Sequence, residues 1–177
     1  IGLMKPEDGS IIILGKEVNE MNAEELDKTR AKIGFLFQSN ALYDSMTVRE
    51  NLEFPLRTYK EKLTNKYTLV NEALESVGLA HAIDLMPEEL SGGMKRRVAL
   101  ARAIIMCPKI VIFDEPTTGL DPITAKEIIE LMKDIQKKYN TSSLIITHDV
   151  DCARVISNRM ILLIDGINYA EGTFEKL

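Results

Sequence analysis

The stretch from Leu90 to Pro116, LSGGMKRRVALARAIIMCPKIVIFDEP, contains the pattern of a helix followed by that of a strand. Ser91 is typical of the residue that caps a helix N-terminus. Apolar residues then recur along one helical face, at Met94, Val98, Ala101 and Ile105. Residues 109–113, KIVIF, form an apolar run, as expected of a strand covered on both faces. A helix that leads into such a strand predicts an α/β fold with a parallel sheet.

Further strands and helices are predicted on both sides of this stretch. The candidate strands are residues 10–14 (SIIIL), 33–38 (IGFLFQ), 143–147 (SLIIT) and 160–164 (MILLI). The last two are expected to be buried strands of the parallel core. Residues 22–32 are predicted to form a surface helix, and a later helix turns Ile128, Leu131 and Ile135 inward.

Between residues 47 and 87 every predicted element is helical. Thr47 and Glu50 have the spacing of a capping box, and Pro55 is expected to end or kink the helix that they begin. Residues 60–85 carry a second helical pattern, whose inward face is formed by Val70, Leu74 and Val77. We therefore expect an all-helical insert within the α/β core.

The composition excludes some classes of protein. The chain has 177 residues, which suits one domain, and a net charge of -5 without a long basic block, which argues against nucleic-acid binding. No apolar run approaches the roughly 18 residues that a membrane helix needs. Neither a membrane span nor a secretory signal is therefore predicted.

Polar residues follow three of the predicted strands, where ligands bind in parallel α/β sheets. Asp114 and Glu115 come after one strand, His148 after the second and Gln38 ends the third. An Asp at this place can hold Mg²⁺, and a neighbouring Glu can polarise an attacking water. Gln can orient that water or bind the metal, and His can contact a phosphate. With the anion-binding helix start at Ser91, this set suits phosphoryl transfer from a nucleotide to water.

The chain resembles the nucleotide-binding subunit of an ABC transporter over essentially its whole length, through five motifs in the family's order. LSGGMKRRVALARAI resembles the ABC signature and its helix, IVIFDEP the Walker B strand and TTGLD the D-loop. THD resembles the switch-histidine loop, and FQ the Q-loop. The resemblance implies a P-loop NTPase core with an inserted helical subdomain, divided into residues 1–46, 47–90 and 91–177.

The resemblance also implies a role for each residue at the sheet edge. Glu115 would be the general base and Asp114 the Walker B carboxylate near Mg²⁺. Gln38 would link the metal site to a transmembrane partner, and His148 would contact the γ-phosphate of ATP.

Other residues would act between two subunits. Ser91, Gly92 and Gly93 would reach across a head-to-tail homodimer to ATP held by the other subunit, and Asp121 would lie at the same interface. The resemblance implies a cytoplasmic subunit, peripheral on the inner face of the membrane. It would contact its permease near the Q-loop and the helical subdomain.

One motif of the family is missing from the sequence. The Walker A loop, G-x-x-x-x-G-K-[ST], cradles the phosphates of the nucleotide. Residues 9–17, GSIIILGKE, have five residues between the glycines and Glu17 after Lys16, so we reject them. We expect the Walker A loop and the N-terminal strands to lie upstream of Ile1, and this chain to be inactive on its own.

The region around the Q-loop points to a subgroup of the family. FQSNALYDSMTVRENLEFPLR, residues 37–57, resembles the corresponding region of Mla/Mce-type lipid transport ATPases, as does the Met after the signature glycines. The sequence has Asn40 where that subgroup usually has Gly. A phospholipid-type substrate is the resulting hypothesis, and residues 40–44 are interpreted as a partner-contact loop.

Simpler interpretations exist for each motif alone. Ser91 could be only a helix cap, the Asp-Glu pair a solvated turn, and His148 a structural residue. The cations Lys95, Arg96 and Arg97 are interpreted as a solvated face. Two alternatives for the whole chain are an ABC-type ATPase that transports nothing and a regulatory remnant without turnover.

Overall fold

The structure is a computed structural model that describes residues 1–57 and 65–176. Its helices are α1 (Ala23–Arg30), α2 (Val48–Leu56), α3 (Lys66–Ser76), α4 (Gly92–Ile104), α5 (Pro122–Tyr139) and α6 (Val150–Ile156). Its strands are β1 (Ile12–Ile13), β2 (Lys16–Glu17), β3 (Ile33–Leu36), β4 (Ile110–Asp114), β5 (Ser142–Ile146), β6 (Met160–Ile164) and β7 (Ile167–Gly172). Short 3₁₀ turns occupy Val18–Glu20, Ala80–Ala82, Pro87–Glu89 and Phe174–Lys176. No helix in the described part of the chain is long and apolar enough to cross a membrane.

The centre of the molecule is a parallel sheet of three strands in the order β3-β4-β5. One face of this sheet is packed against α4, and Leu36, Val111 and Phe113 on that face are fully buried. Gly34 allows the close approach, because a Cβ atom there would lie 2.2 Å from the carbonyl oxygen of Ala103. The predicted α/β fold with a parallel sheet is confirmed.

The segment after the sheet's first strand is helical, as predicted. Thr47 and Glu50 form the capping box of α2, and Pro55 lies in its last turn. The predicted inward face of α3, formed by Val70, Leu74 and Val77, is buried. The second helical pattern is nevertheless not one helix, because α3 ends at Ser76, before a 3₁₀ turn. Residues 60–64 of that pattern lie outside the described residues.

The opposite face of the central sheet is more exposed than the sequence predicts. Leu144 and Ile146 are 56% and 45% exposed, and Ile110 and Ile112 are only partly buried. Cover on both faces was therefore a wrong prediction for the described residues. The physical reason is that α4 and α5 belong to the hydrophobic cluster on the Phe113 side of the sheet.

The third predicted core strand has a different partner. Residues 160–164 form β6, which pairs antiparallel with β7 in a separate sheet and is largely exposed. Asp165 and Gly166 connect the two strands with φ of 48° and 77°. An Asp-Gly pair with positive φ favours a two-residue hairpin over a parallel crossover. This turn explains why the prediction of a parallel strand was wrong.

The predicted N-terminal strand is also part of a hairpin. Only Ile12 and Ile13 of residues 10–14 are extended, and they pair with Lys16 and Glu17. Leu14 is in the turn, with φ of 50°. A strand of five residues was therefore too long a prediction.

Candidate functional site

The polar residues predicted to meet at one edge of the sheet do follow three adjacent parallel strands. Gln38 lies in the turn after β3, Asp114 ends β4, Glu115 follows it, and His148 follows β5. The backbone N–H of Glu115 donates to the carbonyl of Ile146 at 2.9 Å, so β4 and β5 stay paired up to the site. Glu115 has a φ of 49°, an uncommon conformation that turns the chain sharply away from the strand.

Glu115 and His148 are in direct contact. Oε1 of Glu115 lies 2.8 Å from Nδ1 of His148 and accepts the backbone N–H of His148 at 3.2 Å. Its other oxygen, Oε2, accepts the hydroxyl of Thr118 at 2.9 Å. The Glu115 side chain is 16% exposed and that of His148 78%, so the carboxylate is held in place while the imidazole projects into solvent.

The contact changes the acidity of both groups. Burial raises the pKa of Glu115, but the hydrogen bonds from His148 and Thr118 and the charge of His148 outweigh it, and the net pKa is below the ordinary value. The hydrogen bond to Glu115 and then its charge raise the pKa of His148. The arrangement thus favours an anionic carboxylate beside an imidazole that protonates readily.

Two further residues steady the edge, and sequence analysis did not single them out as site residues. Asp149 caps α6 by accepting the backbone N–H groups of Asp151 and Cys152, each at 3.0 Å. The hydroxyl of Thr117 donates to Asp149 Oδ2 at 3.0 Å and so ties the segment after β4 to the segment after β5. In the sequence, Thr117 and Asp149 belong to the TTGLD and THD stretches, but nothing in either stretch indicates that the two side chains are in contact.

The signature residues lie at the start of α4. The hydroxyl of Ser91 accepts the backbone N–H of Met94 at 3.2 Å, which confirms the helix cap. A Cβ atom on Gly93 would lie 2.8 Å from Cγ2 of Thr124, whereas a Cβ on Gly92 would meet nothing within 4 Å. Gly93 therefore lets α4 pack closely against Thr124 of α5, and Gly92 leaves open space at the helix N-terminus.

Asp121 is the cap of α5. Its carboxylate accepts the backbone N–H groups of Ile123 and Thr124 at 3.1 Å and the Thr124 hydroxyl at 2.6 Å. These hydrogen bonds begin the helix within one chain. The role of Asp121 at an interface between two subunits stays a prediction.

The donor set suits Mg²⁺ bound together with a nucleotide. Asp114 and Gln38 offer a carboxylate and an amide oxygen, and Mg²⁺ commonly takes one or two protein oxygens and completes its shell with water and phosphate. Among the described residues there is no cluster of three or more His, Cys, Asp or Glu side chains that could hold a metal ion by itself. By their chemistry, these two oxygen ligands are compatible with a Mg²⁺ ion that takes its other ligands from water and phosphate.

The segment rejected as a Walker A loop has a different structure. Gly15 and Lys16 belong to the β1–β2 hairpin, whereas a Walker A loop joins a strand to a helix. The structure therefore supports the conclusion from the sequence that residues 9–17 are not a Walker A loop.

Relatives of the chain are numerous. The family model described as "ABC transporter" matches residues 1–118. The intermembrane phospholipid transport system ATP-binding protein MlaF of Haemophilus influenzae is 40% identical over 179 residues, 99% of this chain and 67% of its own length. A probable ribonucleotide transport ATP-binding protein of Mycobacterium leprae is 42% identical over 92% of this chain. The methionine import ATP-binding protein MetN 2 of Bacillus cereus is 41% identical over 96%. The chain spans 47% and 50% of the lengths of these last two relatives.

Solved structures agree with the sequence relatives. The ATP-binding cassette MJ0796, in a dimeric post-hydrolysis state with ADP and Pi, superposes with a TM-score of 0.84 at 34% identity. That match covers 97% of this chain and 75% of the other. CbiO1 from Clostridium perfringens, part of an ABC transporter complex, superposes with a TM-score of 0.90 at 30% identity, over 99% and 70%. With its family model, its relatives and its fold in agreement, the chain belongs to the ABC transporter family, as part of an ATP-binding subunit.

Proposed function

We propose that this chain forms part of a subunit that hydrolyses ATP to energise a membrane permease. The observation that carries the proposal is the contact between Glu115 and His148 at the carboxyl ends of parallel strands. With a pKa below the ordinary 4.5, the Glu115 carboxylate is ionised at neutral pH, which is the form that accepts a proton from an attacking water, although the lowered pKa makes it a weaker base than an ordinary glutamate. Family membership supports the ATP chemistry but does not by itself assign these roles.

In the proposed reaction, the water oxygen bonds to the γ-phosphorus while the bond to the β–γ bridging oxygen breaks. Glu115 Oε1 accepts the water proton, and ADP leaves with the electron pair of the broken bond. Because Oε1 now contacts His148, the imidazole would move toward the γ-phosphate when nucleotide binds. Its exposure of 78% makes that movement sterically easy. Mg²⁺ held by Asp114 and Gln38 would neutralise phosphate charge.

The signature residues would act on a second ATP site. A helix N-terminus presents backbone N–H groups and the positive end of the helix dipole, and in α4 this end lies beside the open space at Gly92. We propose that Ser91, Gly92 and Gly93 bind ATP held by a second copy, with Asp121 close to that interface. The dimeric form reported for MJ0796 supports this arrangement.

The permease would dock beside the Q-loop. A cleft of about 410 Å³ lies between the end of β3, α2 and α4, and its lining includes the partly exposed aromatic side chains Phe37, Tyr43 and Phe54. Such an apolar cleft beside Gln38 suits a short helix of a membrane subunit. The subunit would then be peripheral on the inner membrane face, with residues 47–90 as the helical subdomain between residues 1–46 and 91–177.

The loop beside this cleft is held rigidly. The buried amide Nδ2 of Asn51 donates to the carbonyls of Tyr43, Met46 and Thr47 at 3.0–3.1 Å. Arg102 donates to the carbonyl of Asn40 at 2.9 Å. A preformed loop supports the interpretation of residues 40–44 as a partner contact.

A phospholipid-type substrate remains the preferred proposal. The similarity to MlaF and the sequence of residues 37–57 support it, whereas the relatives named for ribonucleotide and methionine transport show that other substrates are compatible with similar sequences. The alternatives are an ATPase without transport and a regulatory remnant.

The test compares Mg-ATP binding and hydrolysis by this chain with those of a longer protein, in which the chain is extended at its N-terminus by a segment that contains a Walker A loop. We expect the longer protein to bind and hydrolyse ATP, and Glu115→Gln in it to keep binding while turnover falls by at least about a thousandfold. Glu72→Gln, at an exposed position on α3, is the matched control and should leave turnover unchanged. Near-normal turnover in Glu115→Gln would show that the general base is another group. Hydrolysis by neither protein would favour the regulatory remnant.

A further inference from the structure

The cation run after the signature glycines is not a solvated face. Arg96 is 2% exposed, whereas Lys95 and Arg97 are partly exposed, so the interpretation of the run as solvated is wrong for Arg96. Its two terminal nitrogens donate to the backbone carbonyls of Phe37 and Thr118, each at 3.1 Å. Its Nε donates no hydrogen bond within the described residues.

The two carbonyls belong to the two loops that carry the proposed catalytic residues. Phe37 directly precedes Gln38, and Thr118 lies in the loop between Glu115 and α5. The loops are far from Arg96 in sequence, by 59 and 22 positions. A planar guanidinium with fixed donor directions can hold two carbonyls at a set separation, which a single ammonium group cannot do.

The second loop continues directly to the reacting group. Thr118 accepts from Arg96 through its carbonyl and donates its hydroxyl to Glu115 Oε2 at 2.9 Å. Glu115 Oε1 in turn contacts His148. A continuous chain of hydrogen bonds therefore runs from the middle of α4 to the imidazole.

Stability alone is a poor explanation for this arginine. Burying a guanidinium with an unpaired Nε costs free energy, and apolar residues in such places are often as stable or more so. Arg97, one residue further on, donates to the carbonyl of Val77 after α3 and to Glu127 on α5, so it fixes α4 to these two elements and not to the catalytic loops.

We propose that Arg96 is a positioning residue that fixes the loop after β3 and the loop after β4 relative to each other. Through Thr118, it orients the carboxylate of Glu115. Its consequence for catalysis rests on the proposed function above, but the positioning itself does not.

The first test reads the position of Glu115 without any nucleotide. The chain has two histidines, His81 and His148, so the titration of His148 can be followed by NMR with His81 as an internal reference. The variants are Arg96→Lys, which keeps the charge but has a single donor nitrogen in place of the planar guanidinium, and Arg96→Met. We expect the pKa of His148 to fall toward its ordinary 6.5 in both, because a displaced Glu115 pairs less well with the imidazole. Removal of the positive charge of Arg96 would by itself raise the pKa of His148, so a fall cannot come from the lost charge.

Arg97→Lys is the matched control, since it alters another arginine-to-carbonyl bond on the same helix. It should leave the titration of His148 as in the parent chain. An unchanged His148 titration in folded Arg96→Lys would overturn the proposal, and so would an equal fall in Arg97→Lys.

The second test uses the longer, ATP-hydrolysing protein. We expect Arg96→Lys to lower kcat about ten- to a hundredfold with KM for ATP nearly unchanged, because a small misplacement of a catalytic group acts on the chemical step. Arg97→Lys should keep kcat. An unchanged kcat in Arg96→Lys would remove the catalytic part of the proposal. If the longer protein hydrolyses no ATP, the proposed function fails, and the titration of His148 still decides the role of Arg96.

Discussion

Asn40 has a backbone conformation that most side chains avoid. Its φ is 64°, its N–H donates to the carbonyl of Phe37, and its own carbonyl accepts from Arg102. Gly and Asn are the residues that adopt this conformation most readily, so the structure accounts for an Asn at position 40.

The conformation predicts how substitutions at Asn40 affect stability. Asn40→Ala should lower the free energy of unfolding by about 1 kcal/mol, because alanine is strained at positive φ. Asn40→Gly should cause no loss, since it also removes a buried Oδ1 that has no hydrogen bond within the described residues. Urea denaturation measures both. Equal stability of the alanine and glycine variants would mean that this loop does not hold a positive φ in solution.

The pair formed by Glu115 and His148 should make stability depend on pH. The raised pKa of His148 gives stability that is present below its ordinary 6.5 and is lost as the pH rises through the folded value. The lowered pKa of Glu115 gives stability that is present above its ordinary 4.5 and is lost as the pH falls through the folded value. The pair therefore stabilises the fold most between these two ordinary values.

Glu115→Gln should consequently cost more stability at about pH 5.5 than at about pH 8.5. Urea unfolding of the parent chain and the variant at both pH values measures the difference. The same substitution in a His148→Asn background is the control, and there the cost should no longer depend on pH in this way. A pH-independent cost in the parent background would mean that the two side chains are not paired in solution.

At the scale of the element, the β6–β7 hairpin is specified by its turn. A two-stranded sheet has little stability of its own, and most apolar side chains of β6 are exposed. Gly166 has φ of 77°, and a Cβ atom added there would meet nothing within 4 Å. An alanine at this position would therefore cause no steric clash, and its cost would come only from the positive φ of the backbone.

Gly166→Ala should open the hairpin locally. A cost of roughly 1–2 kcal/mol predicts about five- to thirtyfold faster amide hydrogen exchange for residues 160–172. Exchange in α4 and β4 should stay unchanged, because the hairpin forms a separate sheet. Asp165→Asn is the control, since Asn suits the same turn. Uniformly faster exchange throughout the chain would instead show that the hairpin is part of the global folding unit.

For the whole molecule, the sequence predicts some features because they depend on local rules. Residues after neighbouring parallel strands must meet at one edge, which places Glu115 beside His148. The burial of Arg96 could not be predicted, because it depends on carbonyls that distant loops present. The exposure of Leu144 could not be predicted either, because the identity of an apolar residue does not show whether another element covers its side chain.

One face of the central sheet carries exposed apolar side chains. Register places Ile112 between Leu144 and Phe35, and Ile146 beside Asp114, on the face opposite Phe113. Exposed apolar side chains on adjacent strands form a contiguous patch, and such patches promote association. We therefore expect this chain on its own to bind a hydrophobic dye and to self-associate at micromolar concentration.

The double substitution Leu144→Thr and Ile146→Thr should reduce both effects while preserving the strand, since threonine is β-branched and polar. Dye fluorescence and light scattering after size exclusion measure them. The control pair is Ile123→Thr and Val150→Thr, which removes apolar side chains that are more exposed than the β5 pair, at the starts of α5 and α6. If the control pair reduces association as much as the β5 pair, association follows total apolar exposure. If only the β5 pair reduces association, the open sheet face is the surface through which the chain self-associates. Its side chains are adjacent and can be buried together.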